Sequence, residues 1–243
     1  MKAIILAGGE ATRLRPLSFS IPKILFPLRD KPLCLYQIEW LKKYNIRELI
    51  FALGYLPDKV KEALGDGKRF GIKIKYVTEA KPLDTAGAIR NVIDSIKEEN
   101  SFLVFNGDIL TNINISELLD FHKQKKSQLT ICLVEVKEEL RSFGLVICDR
   151  QGKIKQFLEK PELGDINKQN KRRLINAGIY IFEPELAKEI PRHTRYSFEK
   201  NLLPALLKKK TKVYGFVANG YWLDIGTNSR YSQAQKDTRF FRC

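Results

Sequence analysis

The first half of the chain alternates between two patterns of hydrophobic and polar residues. Short apolar runs, typical of buried strands, cover residues 2–6, 48–53, 72–77 and 102–105. Between these runs, apolar residues recur at helical spacing over residues 33–44, 57–64 and 85–96. Strands that alternate with helices predict an α/β, Rossmann-like fold, with a mostly parallel central sheet flanked by helices.

The second half has a different pattern. Apolar runs follow one another with few helices between them, at residues 128–136, 144–148, 153–158 and 177–182. This order predicts a smaller antiparallel subsheet. No linker, repeat or low-complexity stretch divides the chain. We therefore expect residues 1–243 to form a single domain with two halves, about 1–110 and about 111–235.

The loop after the first apolar run combines glycines with cations. The run ends at Ala7-Gly8-Gly9, and paired glycines let backbone N–H groups approach an anion closely. Arg13, Arg15 and Lys23 follow within reach of this loop. In a parallel sheet, ligands bind beyond the carboxyl ends of the strands. The loop is neither a P-loop nor a Gly-x-Gly-x-x-Gly turn, but its chemistry predicts a phosphate site.

Composition excludes several classes of protein. A chain of 243 residues with 44% hydrophobic content can bury a good core, and it contains no apolar run of eighteen residues. We therefore expect a soluble, cytoplasmic protein without a membrane partner. The four cysteines are widely spaced, which favours free thiols over a zinc site or disulfides. Only two histidines are present, which excludes a histidine-rich metal site and disfavours histidine-centred catalysis.

The net charge of +15 allows two interpretations. Basic proteins bind nucleic acids through phosphate contacts, but here lysines and arginines are scattered along the chain. We therefore predict no nucleic-acid partner. A basic field also steers small anions into a cleft.

The first loop resembles the signature of the sugar-1-phosphate nucleotidyltransferases. The family pattern is Gly-Gly-x-Gly-Thr-Arg-Leu-x-Pro-Leu followed by Pro-Lys, and the matching residues are 8–17, Pro22 and Lys23. Ala11 stands where the family usually has glycine. This replacement costs roughly 1 kcal/mol if φ is positive there.

Four further motifs extend the resemblance in family order. They are Asn106-Gly107-Asp108, Phe157-Leu158-Glu159-Lys160-Pro161, Ile175-Asn176-Ala177-Gly178 and Gly220-Tyr221-Trp222-Leu223-Asp224-Ile225-Gly226-Thr227. The resemblance implies a catalytic group and an Mg²⁺ site on two carboxylates. The implied catalytic residues are Arg13, Lys23, Asp108 and Asp224, of which Asp108 and Asp224 hold the metal.

The resemblance also implies two substrate sites, a nucleotide site in the first half of the chain and a sugar-phosphate site formed mainly by the second half. The nucleotide site comprises Leu6, Ala7, Gly8, Gly9, Thr12, Arg13, Glu79, Thr85 and Gly87. The sugar-phosphate site comprises Lys23, Gly144, Glu159, Lys160 and Asn176. Two alternatives to these roles stay open. The sequence is equally compatible with Glu79 as a solvated loop residue that binds no nucleotide, and the Asn176 side chain can hydrogen-bond the local backbone in place of the sugar.

The implied reaction joins a nucleoside triphosphate to a sugar 1-phosphate and releases pyrophosphate. The attacking phosphate oxygen is ionised at neutral pH, so positioning and charge neutralisation suffice for catalysis. The segment Glu79 to Gly87 resembles the family's base-side segment, with Asp84 in place of a glycine. Glu79 would accept two hydrogen bonds from guanine but only one from uracil or thymine.

Together with the Ile-Asn-Ala-Gly and Tyr-Trp-x-Asp-Ile-Gly-Thr forms of two motifs, which resemble those of mannose-1-phosphate guanylyltransferases, this difference favours an enzyme that uses GTP and mannose 1-phosphate. Three alternatives stay open: a uridylyl- or thymidylyltransferase acting on glucose 1-phosphate or an amino-sugar 1-phosphate, a heptose-1-phosphate guanylyltransferase, and a non-catalytic regulatory subunit. No hexapeptide repeat follows residue 226, so no C-terminal β-helix domain is expected. A homo-oligomer remains possible.

Overall fold

The computed structural model describes residues 1–96, 99–136, 143–159 and 172–237. Within these ranges the strands are β1 Ala3–Ala7, β2 Pro27–Leu28, β3 Lys31–Pro32, β4 Glu48–Leu53, β5 Lys73–Thr78, β6 Phe102–Asn106, β7 Ile109–Thr111, β8 Leu129–Glu135, β9 Gly144–Cys148, β10 Ile154–Glu159, β11 Leu174–Phe182, β12 Val213–Val217 and β13 Trp222–Asp224. The α-helices are α1 Leu33–Lys43, α2 Pro57–Leu64, α3 Asp84–Val92, α4 Ile115–Gln124, α5 Pro184–Ala187, α6 Leu203–Lys208 and α7 Asn228–Asp237.

Nine of these strands form one central sheet. Seven follow the order β10-β9-β11-β6-β1-β4-β5, β8 also pairs with β11, and β12 pairs with β8. Strands β6, β1, β4 and β5 are parallel, whereas β8, β9 and β11 pair antiparallel with one another or with β6. Two small antiparallel sheets, β7 with β13 and β2 with β3, lie outside it. The α/β class with a mostly parallel core is confirmed.

The core lies in two layers, one on each face of the sheet. In β1, the side chain of Ile5 packs with one hydrophobic cluster and that of Ile4 with the other, and both are fully buried. Helices α1, α2 and α4 cover the first face, and α3 and α6 cover the second. Because both faces of β1 are covered, its sequence is a continuous apolar run rather than an alternating one.

The sequence pattern located most strands and helices within a few residues, with some exceptions. The expectation of few helices in the second half was wrong for α4, which begins at an Asn114 cap whose Oδ1 accepts hydrogen bonds from Ser116 N and Glu117 N. Helix α7 was also missed. Strand β12 pairs parallel with β8, so the second half is not wholly antiparallel.

The described residues bear on the cysteines and on membrane-spanning helices. Cys34, Cys132 and Cys148 are free, and the first two are buried. No helix in the described ranges combines the length and apolar character needed to cross a membrane.

Candidate active site

The loop after β1 touches the loop after β4. Gly8 O accepts a 3.1 Å hydrogen bond from Tyr55 N, and a Cβ on Gly54 would stand only 2.6 Å from the same oxygen. Glycine at position 54 therefore permits this close approach. Around Gly9, no atom lies within 4 Å of the place where a Cβ would be. The loop thus leaves open space beyond the carboxyl end of β1.

Both replacements of a family glycine occupy left-handed backbone conformations. Ala11 has φ 51° and ψ 44°, and it precedes the short 3₁₀ turn Thr12–Leu14 that carries Arg13. Asp84 has φ 62° at the start of α3. The positive φ that would make Ala11 costly is therefore present, and at both positions the backbone adopts a region that glycine enters without penalty.

Lys23 and Asp108 form a direct ion pair. Lys23 Nζ donates a 2.7 Å hydrogen bond to Asp108 Oδ2, and both side chains are partly buried. Lys23 begins a 3₁₀ turn, and Asp108 lies in the turn between β6 and β7. Gly107 N donates to Leu6 O, and a Cβ on Gly107 would lie 2.9 Å from that oxygen, so glycine holds this turn against β1.

Strand pairing brings Asp224 beside Asp108. Asp224 lies opposite Ile109 in the β13–β7 ladder, and Ile225 N donates to Asp108 O at 2.8 Å. Asp224 Oδ1 is buried and has no hydrogen-bond partner. Burial, followed by the negative charge of Asp108, raises the pKa of Asp224 to about 6. A cation bound at this oxygen would therefore be stabilised by the buried carboxylate and would in turn stabilise its ionised form.

The two carboxylates fit a magnesium ion. Mg²⁺ binds through one or two carboxylates and completes its shell with water and substrate phosphate oxygens. The described residues contain no cluster of three or more His, Cys, Asp or Glu side chains that would form a complete protein cage. The unpartnered Oδ1 of Asp224 is the observation that favours a cation here.

A cavity of about 390 Å³ adjoins this group. Of the residues predicted to bind nucleotide or act in catalysis, eight line it: Leu6, Ala7, Gly8, Gly9, Lys23, Glu79, Thr85 and Asp108. Ala11, Asp84 and Arg195 also face it. Thr12 and Arg13 are exposed and lie outside its lining. The glycine loop (Gly8 and Gly9), the Lys23–Asp108 ion pair and the start of α3 therefore face the same cavity.

Glu79 is a half-buried wall of this cavity. Its Oε2 accepts a 3.0 Å hydrogen bond from Leu83 N, and burial raises the pKa of its carboxyl group. This contact fixes one oxygen to the loop that leads into α3. The structure thus places Glu79 in the cavity wall rather than in a fully solvated loop.

Thr85 and Gly87 contact a segment of the second half. Thr85 Oγ1 accepts a 2.8 Å hydrogen bond from Phe198 N and donates to Glu199 Oε2. Gly87 N donates to Tyr196 O, and a Cβ on Gly87 would lie 2.7 Å from Thr194 O. Gly87 does not line the cavity, so its clearest role is close packing.

Glu199 was not singled out from the sequence. Its carboxylate accepts hydrogen bonds from Ser197 Oγ and Thr85 Oγ1, and burial raises its pKa. The contact spans 114 positions. The sequence around Glu199 contains no pattern that would predict this contact with Thr85.

The predicted sugar-side residues gather around β9, β10 and β11. Glu159 pairs with Gly144, and a Cβ on Gly144 would lie 3.2 Å from Glu159 Oε2. Asn176 Oδ1 accepts from Gly178 N, and its Nδ2 donates to Tyr180 OH. Local hydrogen bonding, the alternative left open for Asn176, is therefore present. Lys160 lies outside the described residues.

Two arginines approach Asp224. Arg13 Nη2 and Asp224 Oδ1 both lie within 3.2 Å of the point where a Cβ on Gly226 would stand. Arg230 Nη1 is 3.9 Å from Asp224 Oδ1, and its guanidinium lies 4.4 Å from the centre of the Phe143 ring. Arg13 thus joins the carboxylate group although it lies outside the cavity lining. Arg230 was not found from the sequence.

The chain is similar to several curated guanylyltransferases. It is 36% identical over 236 residues to mannose-1-phosphate guanylyltransferase of Mycobacterium tuberculosis, covering 97% of this chain and 64% of that protein. It is 37% identical over 228 residues to mannose-1-phosphate guanylyltransferase catalytic subunit beta of Dictyostelium discoideum, covering 93% and 61%. The chain therefore spans a little under two thirds of these curated relatives.

A solved structure matches over nearly the full length of both chains. HddC from Yersinia pseudotuberculosis has a TM-score of 0.82 and 29% identity, with 97% of this chain and 98% of that chain covered. The same protein complexed with GMP-PN has a TM-score of 0.80 and 30% identity. A model of the family described as Nucleotidyl transferase matches residues 2–239. With its glycine loop, paired carboxylates and this match over almost its whole length, the chain belongs to the nucleotidyl transferase family.

Proposed function

We propose that this protein transfers a guanylyl group from GTP to mannose 1-phosphate and releases pyrophosphate. The observation that carries the proposal is the Lys23–Asp108 ion pair in the wall of the cavity that the glycine loop also lines, with Asp224 beside Asp108 but outside the cavity lining. Membership of the nucleotidyl transferase family supports the reaction class. The chain is expected to act in the cytoplasm, as the sequence predicts.

The reaction needs alignment more than acid–base chemistry. An oxygen of the sugar phosphate forms a bond to the α-phosphorus of the triphosphate, and the bond to the bridging β-phosphate oxygen breaks. The attacking phosphate has a second pKa near 6, so it needs no general base. The protein must hold two polyanions in line and neutralise their charge.

The cations near the cavity meet these needs. Lys23 lines the cavity and lies beside Asp108, where its ammonium group can bridge the sugar phosphate and the α-phosphate. Arg13 lies on the turn after the glycine loop, and we assign it to the leaving pyrophosphate. The backbone of Gly8 and Gly9 offers N–H groups to the phosphates. Asp108 and Asp224 would hold Mg²⁺, which supplies charge neutralisation at the α-phosphate when bound.

The choice of guanine rests on Glu79. Its carboxylate stands in the cavity wall with one oxygen anchored by Leu83 N, so the group is oriented before the base arrives. An oriented carboxylate matches the adjacent N1–H and N2–H₂ donors of guanine. The names of the curated relatives and the GMP-PN complex of HddC support the same base. The relatives' names also support mannose 1-phosphate.

Pyrophosphate release tests the proposal. The purified protein is incubated with Mg²⁺, each of GTP, UTP, dTTP, ATP and CTP, and either mannose 1-phosphate or glucose 1-phosphate. We expect release only when both substrates are present, and fastest with GTP and mannose 1-phosphate. A preference for UTP or dTTP overturns the guanine assignment. If these pairs and heptose and amino-sugar 1-phosphates all fail while nucleotide still binds, the result favours the alternative of a regulatory subunit.

A further inference from the structure

Arg230 is a charged residue of the site to which no role has yet been assigned. It lies in the first turn of α7, where Arg230 N donates to Thr227 Oγ1. Its side chain is 22% exposed, and its guanidinium stacks on the ring of Phe143. This stacking holds the planar group in one orientation while part of it faces open space.

The guanidinium has unused hydrogen-bond donors. Its closest carboxylate oxygen, Asp224 Oδ1, is 3.9 Å from Nη1, which is too far for a hydrogen bond. The side chain donates no hydrogen bond to any other residue in the described part of the chain. A partly buried arginine whose N–H groups have no hydrogen-bond partner among the described residues is suited to a planar, bidentate contact with an anion.

The position of Arg230 indicates which anion. Phe143 directly precedes Gly144, which pairs with Glu159 on the predicted sugar side. On the other side stands Asp224, which is predicted to bind the metal at the α-phosphate. A sugar 1-phosphate that reaches from the sugar-side residues to the metal must carry its phosphate through the space between them.

Aromatic contacts continue this link to β11. The ring centres of Phe143 and Trp222 lie 5.8 Å apart, and Trp222 Nε1 donates to Ala177 O at 2.8 Å. Ala177 is the neighbour of Asn176, another predicted sugar-side residue. Arg230 is thus supported from the sugar half of the site, whereas Arg13 belongs to the signature turn after the glycine loop.

We infer that Arg230 binds the phosphate of the sugar 1-phosphate and so determines the affinity for the acceptor substrate. The inference rests on the proposed function, because it assumes a sugar 1-phosphate as one of the two substrates. It assigns the residue to the acceptor phosphate, not to the nucleotide or the pyrophosphate.

Calorimetric binding measured without metal tests this assignment separately from turnover. The dissociation constants of mannose 1-phosphate and GTP are compared for the wild type, Arg230→Gln, Arg230→Lys and a control, Arg192→Gln. Arg192 is exposed and pairs only loosely with Asp94, 4.0 Å away. We expect Arg230→Gln to weaken mannose 1-phosphate binding on the order of 10–100-fold. GTP binding and the control should stay at wild-type values, and Arg230→Lys should recover part of the loss. Thermal unfolding confirms that each variant folds.

Two outcomes overturn the inference while leaving the proposed function intact. In the first, GTP binding falls and mannose 1-phosphate binding does not, so that Arg230 serves the nucleotide. In the second, Mn²⁺ binds more tightly to Arg230→Gln and both substrates bind normally, so that Arg230 only balances the charge of Asp224. A wild type that binds mannose 1-phosphate but releases no pyrophosphate overturns the proposed reaction, and the binding data still decide the role of Arg230. A wild type that binds no sugar 1-phosphate, with or without Mg²⁺ and GTP, and releases no pyrophosphate overturns both.

Discussion

Lys23 and Asp108 lie 85 positions apart in sequence, yet Lys23 Nζ donates to Asp108 Oδ2 at 2.7 Å. Asp108 also lies beside Asp224: Ile225 N donates to the backbone oxygen of Asp108, and the negative charge of Asp108 contributes to the raised pKa of Asp224. One ammonium group therefore neutralises part of a paired negative charge. When substrates carry phosphates into the cavity, this cation stands where their charge must be compensated.

Replacing Lys23 by methionine keeps much of the side-chain volume and removes the charge. We expect kcat to fall on the order of 10²–10³-fold, because one preorganised charge at the reacting phosphates is lost. Steady-state pyrophosphate release at saturating substrates measures it. Lys31→Met is the matched control, because Lys31 also forms a partly buried ion pair, in which its Nζ lies 2.5 Å from a carboxylate oxygen of Glu39. Unlike Lys23, Lys31 does not line the cavity. Equal turnover in the two variants would contradict the role of Lys23.

Replacing Asp224 by asparagine should stabilise the metal-free protein and abolish its response to metal. Burial raises the pKa of Asp224 from an ordinary value of 3.8 to about 6, so the folded state holds the extra proton between these values. The stability of the wild type therefore falls as pH rises through this window. At pH 8 the variant should be more stable on the order of 1–3 kcal/mol.

Denaturant unfolding with and without Mg²⁺ measures both effects of this change. The wild type should gain stability when Mg²⁺ is added, and Asp224→Asn should not. Asp58→Asn, at an exposed carboxylate, is the control. A metal-free Asp224→Asn protein that is less stable than the wild type at pH 8 would refute the argument.

Replacing Ala11 by glycine should not destabilise the protein, although most alanine-to-glycine changes do. Ala11 has φ 51°, where an alanine raises the free energy of the folded state by roughly 1–2 kcal/mol, and glycine removes this strain. The greater conformational freedom of glycine in the unfolded chain offsets about 0.4–1 kcal/mol of that gain. We expect unchanged or higher stability by urea unfolding. Ala63→Gly makes the same chemical change in the last turn of α2 and should destabilise by about 0.5–1 kcal/mol. The same sign at both positions would disprove this account.

Replacing Glu79 by glutamine tests base recognition. A glutamine has one acceptor oxygen in place of two, so it cannot both accept from Leu83 N and reproduce the carboxylate's contact with guanine. The KM for GTP should rise about tenfold, and the KM for mannose 1-phosphate should not change. Glu62→Gln, an exposed change on α2, serves as the control. An unaltered KM for GTP would remove Glu79 from base recognition.

His122 should make the folded state sensitive to acid. Its side chain is buried, Nδ1 lies 2.8 Å from Thr130 Oγ1, and burial lowers its pKa from 6.5 to about 4. As pH falls from 6.5 to 4, the unfolded chain takes up a proton that the folded chain does not, so stability is lost. The loss should reach about 3 kcal/mol. His122→Gln should lack this part of the pH dependence in urea titrations between pH 4 and 7, and parallel profiles would contradict the assignment.

The sequence was informative where structure depends on local pattern. The continuous apolar run of β1 follows from burial on both faces, and Gly65 ends α2 with the positive φ that a helix terminus often needs. The motifs were informative for a related reason. The glycine loop and Asn106-Gly107-Asp108 follow the carboxyl ends of β1 and β6, so Asp108 could be expected beside that loop, whereas the pairing of Asp108 with Asp224 was implied by the family resemblance.

Other features depend on contacts between distant segments and have no local signal. The link from Thr85 to Glu199 spans 114 positions, and the stacking of Arg230 on Phe143 depends on how α7 docks. Helix α4 is a different case, because its Asn114 cap and apolar spacing are local signals that do indicate a helix.

Strand β11 limits the ways in which this protein can close around its substrates. It hydrogen-bonds to β6 of the nucleotide half and to β8 and β9 of the sugar half. A Cβ on its Gly178 would stand 2.5 Å from Asn106 Nδ2, so β11 and the end of β6 are in tight contact. A hinge between the halves would have to break this ladder. Conformational change on substrate binding is therefore confined to the loops at the strand ends. The sheet itself keeps the distance between the nucleotide subsite and the sugar subsite fixed.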